Sequence, residues 1–145
     1  MARSRFFPKV CKCLHTSEAV WKMCMDAASV ASKELGAGHT EKTYESVMAD
    51  WLYKQRIPTL RQTKYFHKID TTVHETGIVD LEVDQKVILE LKAGVSSITE
   101  EHKVQVQRYL RSARLKYTKE ILIAGVILFD KAGGVKMWRV VSRPK

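Results

Sequence analysis

From Thr16 onward the apolar positions fall at Val20, Met23, Cys24, Ala27, Val30 and Ala31, the i, i+3, i+4, i+7 spacing of one helical face. Thr16 or Ser17 can cap this first helix, and Gly36-Ala37-Gly38 ends it. A second helix starts near Thr40, carries Tyr44, Val47, Met48, Trp51 and Leu52 on its stripe, and stops at Ile57-Pro58. Leu60 to His67 reads as a strand. A third helix is capped by Thr99, has Glu100 and Glu101 in its first turn, and buries Val106, Tyr109, Leu110 and Ala113. Ile121 to Phe129 is a continuous apolar run, as expected of a strand covered on both faces. Gly133-Gly134 then turns the chain into a last strand, Val135 to Val141.

Between the first strand and the third helix the period changes to two. Ile78 to Val83 alternates, Val87 to Lys92 alternates, and Asp84-Gln85-Lys86 is the turn between them. The predicted order is therefore ααβββαββ, a mixed sheet flanked by helices, in the α/β or α+β class. One face of the hairpin would hold Val79, Leu81, Val83, Leu89 and Leu91. The other would hold Ile78, Asp80, Glu82, Ile88, Glu90 and Lys92.

A three-residue turn puts Val83 opposite Val87 and Asp80 opposite Glu90. Side chains so opposed lie about 5 Å apart at Cβ, where like charges destabilise the pair. A two-residue turn would send the carboxylates to opposite faces. The first register carries a cost that a divalent cation would offset, because Mg²⁺ takes carboxylate, water and phosphate oxygens. Lys92 shares that face and could reach a phosphate or a metal-bound water. The competing expectation is an ordinary amphipathic hairpin whose charged face is solvated.

The 145 residues suffice for one core, divided here into a basic N-terminal arm, 1–16, and a domain, 17–145. A composition of 45% hydrophobic and 28% charged residues argues against disorder. The net charge of +9 is the unusual feature, and it favours a polyanionic partner, nucleic acid before membrane. No apolar run reaches the roughly twenty residues of a membrane span. Three cysteines do not make a disulfide framework, which points to a reducing, intracellular compartment. Cys11, Cys13, His15 and Cys24 suggest zinc ligands by type, but their spacing matches no common zinc pattern and Cys24 lies on an apolar stripe.

Two further polar residues sit near inward stripes: Glu41, three before Tyr44, and Gln105, four before Tyr109. Favouring the helix N-terminus explains Glu41 as well as a ligand role does, and a satisfied structural amide explains Gln105. The outward face of the third helix is basic, with Lys103, Arg108, Arg111 and Arg114, followed by Lys116 and Lys119 in the loop. A face of one sign suits a phosphate backbone.

Asp80 with Glu90-Leu91-Lys92 resembles the D…(D/E)-x-K signature of the PD-(D/E)XK nuclease superfamily. Gly38-His39-Thr40-Glu41-Lys42-Thr43-Tyr44 is similar to the motif of its GxxExxY branch, and Val104 to Leu110 resembles that branch's A-Q-x-x-x-Y-L helix. The three motifs come in family order, and the likeness runs from about Val20 to about Val141. Val79 stands where the superfamily name has proline, and Val104 where alanine is usual; neither change removes a ligand.

The resemblance implies a restriction-endonuclease-like core and metal-dependent phosphodiester hydrolysis. Asp80 and Glu90 would hold Mg²⁺ or Mn²⁺, with the Leu91 carbonyl and Glu41 as further ligands. Lys92 would orient or deprotonate the attacking water, and Gln105 would orient water or contact a phosphate. No aromatic platform for single-stranded RNA is visible, so DNA stands ahead of RNA as substrate. A chain this small leaves little room for a specificity domain. Recognition by shape and charge, or through a homodimer or partner protein, is the expectation. The rival from another class is a nucleic-acid-binding or structural protein that keeps the fold without the chemistry.

Overall fold

The computed structural model describes residues 15–145. The order is α1 (Ser17–Leu35), α2 (Glu41–Lys54), β1 (Thr59–Ile69), β2 (Thr72–Val83), β3 (Val87–Ala93), α3 (Glu100–Lys116), β4 (Leu122–Phe129) and β5 (Val135–Ser142). Each helix begins where a threonine can satisfy free backbone N–H groups. Thr16 accepts from Ala19 N, Thr40 from Thr43 N, and Thr99 from His102 N. At α3 the His102 ring returns the bond to Thr99 N, closing a capping box with histidine in place of the usual acid.

The five strands lie in sequence order, β1-β2-β3-β4-β5. All neighbours are antiparallel except β3 and β4, which are parallel and joined through α3. Helices α1 and α2 share a core with Leu81, Val83, Leu89, Leu91, Ile123 and Ile127. Helix α3 covers the other face, over Tyr65, Val79, Ile88, Ala124 and Val126. Covered on both sides, β4 is buried at all eight positions, and each fully buried Leu or Ile contributes about 2 kcal/mol. A Cβ on Gly125 would lie 2.5 Å from the Trp21 ring, so glycine lets α1 approach the sheet closely.

The turn adopts the register with the electrostatic cost: Val83 pairs with Val87, and the ladder continues through Leu81↔Leu89. Asp84 and Gln85 carry φ of 55° and 57°, and Lys86 N bonds Val83 O at 3.1 Å. Two sequence expectations change. The charged side of the hairpin is covered by α3, so Glu82 and Glu90 are only 2% and 7% exposed and the solvated-face reading fails. Val79 does not share a core with Leu81, because the alternation breaks at Asp80.

The β1–β2 ribbon is longer than its apolar pattern indicates, because its distal half, residues 66–76, is exposed on both faces and carries no core stripe. Cys24 is fully buried in the α1–α2 core, where burial pushes its thiol pKa up. Cys11 and Cys13 lie outside the described residues.

Candidate active site

Strand β3 carries Glu90, Leu91 and Lys92 toward its C-terminal end, and the N-termini of α2 and α3 flank that end. One open groove there is lined by Lys92, Glu100, Glu101, His102, Val104, Gln105 and Arg108. Another, on the α2 side, is lined by Gly38, His39, Thr40, Glu41, Lys42, Ala93 and Gly94. The C-terminal end of a parallel strand beside helix N-termini is a common ligand position in α/β sheets.

The backbone ladder between β2 and β3 stops at Leu81↔Leu89, one step before Asp80 and Glu90 would face each other. The Asp80 carboxylate enters the gap, its Oδ2 accepting from Leu91 N at 2.8 Å. Its Oδ1 accepts from the Gln62 amide at 3.1 Å. Glu90 lies under α3, its Oε2 3.4 Å from Lys92 Nζ. Among the described residues its Oε1 is buried without a hydrogen-bond partner. Burial first, and Asp80 second, push the Glu90 pKa up to about 7, against the opposing pull of Lys92.

Glu41 is the first residue of α2, and its Oε2 accepts from Ala93 N at 3.2 Å, which joins α2 to the end of β3. Gln105 reaches along α3 to donate to Tyr109 Oη at 2.9 Å. Tyr109 packs against Gly77, where any Cβ would collide with its ring, and burial together with Glu90 raises its pKa. The His102 pKa is lowered, by desolvation and then by Lys92. Tyr44 is a packing residue, stacked on Phe129 with ring centroids 4.0 Å apart. Among the described residues no three His, Cys, Asp or Glu side chains form a group that could hold a metal ion unaided.

Residues 18–128 match the family model of the PD-(D/E)XK nuclease superfamily. The chain belongs to that superfamily. Comparison with curated proteins and with solved structures gave no match.

In this PD-(D/E)XK protein the basic residues of α3 do not form one outward face. Arg108 and Arg111 are exposed, Arg108 on the groove beside Lys92. Lys103 lies over the Trp138 ring at 5.6 Å, and Lys116 lies over the rings of Tyr65 and Tyr117. Lys119 is exposed in the following loop. Arg114 turns inward and donates to the carbonyls of Tyr117, Glu120 and Ser142 and to the Ser142 hydroxyl. It is a latch between the end of α3 and β5, because its fork matches several acceptors that the turn leaves open.

Sequence reasoning missed Glu45, Arg61 and Gln62. Glu45, 3% exposed on α2, accepts from Arg61 Nε at 2.8 Å and from Gln62 Nε2 at 2.7 Å. A signal was present: Glu41 and Glu45 stand four apart on one helix, a like-charge pair that needs a partner.

Proposed function

We propose that this superfamily member hydrolyses phosphodiester bonds of nucleic acid with a divalent cation, DNA ahead of RNA. The observation that carries the reading is the unpartnered, buried Oε1 of Glu90 beside the pinned carboxylate of Asp80. Two carboxylates, with waters and phosphate oxygens filling the remaining positions, suit Mg²⁺ or Mn²⁺ without a third acid. Bound there, the ion would lower the pKa of the attacking water and polarise a phosphoryl oxygen.

Asp80 and Glu90 are the residues that would hold it. A strand residue turns its N–H and C=O toward the same neighbour, so the Leu91 carbonyl opens on the gap that Asp80 occupies. Glu41 is a further ligand candidate, directly or through water, once it releases Ala93 N. Lys92 would orient or deprotonate the attacking water and steady charge developing on the phosphate. Gln105 supplies an amide at the groove wall to orient water or bind a phosphate. The N-terminus of α3 favours an anion, and Arg108 and Arg111 extend the positive surface, with Lys103, Lys116 and Lys119 at its margins.

The test is cleavage of labelled duplex, single-stranded and flapped DNA, and of RNA, with EDTA, Mg²⁺ or Mn²⁺. Wild type should cleave only with metal, and Asp80→Ala and Lys92→Ala should each lose at least about a hundredfold in rate. Binding without cleavage in every metal, equal in wild type and variants, would instead make the site an inherited scaffold and the basic surface the working part.

A further inference from the structure

We propose that Gln62 is a positioning residue for Asp80, its amide anchored on buried Glu45 so that the carboxylate stays aimed at the metal position. The inference rests on the metal site described above and concerns how that site is held.

The backbone points to Gln62 first. Its φ is +52°, in the middle of strand β1. For a residue with a Cβ this region costs about 1–2 kcal/mol, and it persists only where the surroundings demand it. The β1–β2 ladder pairs Arg61 with Leu81 and Thr63 with Val79, and it skips Gln62 and Asp80 between them. Both strands therefore break pattern at the same step. On β2 the break sends Leu81 into the α1–α2 core and Val79 into the α3 core.

The side chain explains what the break achieves. An amide NH₂ carries two donors. One goes to Glu45 Oε1 at 2.7 Å and the other to Asp80 Oδ1 at 3.1 Å. Glu45 cannot drift, because it is buried and its second oxygen accepts from Arg61. With Leu91 N on Oδ2, Asp80 is held from the strands on both of its sides. Repulsion from Glu90 then cannot swing it away while the metal is absent. Gln62 makes no contact with the groove beside Lys92, so its role is orientation.

Glycine at position 62 separates the two roles. It relieves the left-handed backbone and deletes the amide. Asparagine also tolerates this φ, but its amide is one methylene short. Mn²⁺ binding, by calorimetry and by loss of the free-ion electron paramagnetic resonance signal, would be measured for wild type, Gln62→Gly and Gln62→Asn. Thermal unfolding of the metal-free proteins would accompany it. Gln62→Gly should melt close to wild type, the relieved backbone offsetting the lost bond to buried Glu45, while both variants bind Mn²⁺ about tenfold more weakly or worse. Unchanged affinity in both variants overturns the role of Gln62 alone. Affinity that falls only in step with a lowered melting temperature makes the residue structural and overturns it too. A wild type that binds no Mn²⁺ overturns the metal site itself, and the role of Gln62 with it.

Discussion

Glu82 and Glu90 stand on adjacent strands of one hairpin, both buried, and their surroundings differ completely. Glu82 Oε1 accepts from Tyr65 Oη and Oε2 from Tyr117 Oη, each at 2.7 Å. Lys116 lies over both phenol rings and adds a positive charge to the cluster. Glu90 has one oxygen 3.4 Å from Lys92 and the other without a partner among the described residues. Burying a carboxylate costs several kcal/mol, which charge-assisted hydrogen bonds can offset. At Glu82 that offset is complete within the chain. At Glu90 it is half made, and the raised pKa is the visible remainder. Equal burial thus marks one acid as architecture and the other as a place where outside charge is wanted.

The comparison breaks hardest in the activity of Glu90→Gln. This change should abolish metal-dependent cleavage, about a thousandfold or more, while the metal-free fold stays as stable as wild type or gains stability. A rate assay beside a denaturant titration checks both halves; a loss of fold instead would make Glu90 a second Glu82.

The opposite pattern is expected of Glu82→Ala. It strands the buried Tyr65 phenol and the half-buried Tyr117 phenol and should cost about 2–4 kcal/mol by urea unfolding, with cleavage per folded molecule little changed.

A smaller effect sharpens the comparison through pH. A carboxylate whose pKa is higher folded than unfolded favours the folded state at low pH and loses that contribution as pH rises. For Glu90 the loss runs from about 4.5, the ordinary value, through about 7. The metal-free stability of Glu90→Gln relative to wild type should therefore increase by about 1–3 kcal/mol across that window. A flat difference between pH 4 and 8 would show that Glu90 is solvated after all.

The parts of the fold that were legible in the sequence are those governed by local chemistry. The Thr99 cap, the helix starts near Thr16 and Thr40, the apolar stripes of α1 to α3 and the all-buried β4 follow from spacing and end chemistry alone. The closure of the hairpin at Val83 and Val87 matches the three-residue turn, but the ladder ends at Leu81 and Leu89, so the direct pairing of Asp80 with Glu90 is not formed. What was not legible depends on partners distant in the chain. Arg114 looked like one more outward arginine, because nothing nearby reveals that Ser142 and Glu120 would present their carbonyls to it. Whether Glu82 and Glu90 face solvent or a covered site stayed open, because alternation cannot say whether a helix will cover the polar side. The stretch Arg61 to Lys64 is uniformly polar, so nothing in it marks a left-handed residue at Gln62. The exposed half of the β1–β2 ribbon, with Phe66, Ile69 and Val73 open to solvent, has no core side to set a period.

The Asp84–Gln85 turn has a consequence for how such a chain can vary. Substitutions near the site act on one side chain at a time, whereas a single inserted or deleted codon between Val83 and Val87 shifts parity. It would move Asp80 to the other side of the sheet from Glu90 while leaving every residue of the motif in the gene. A descendant could thus lose the site without losing a letter of its signature, and the spacing between the two acids carries as much of the site as the acids do.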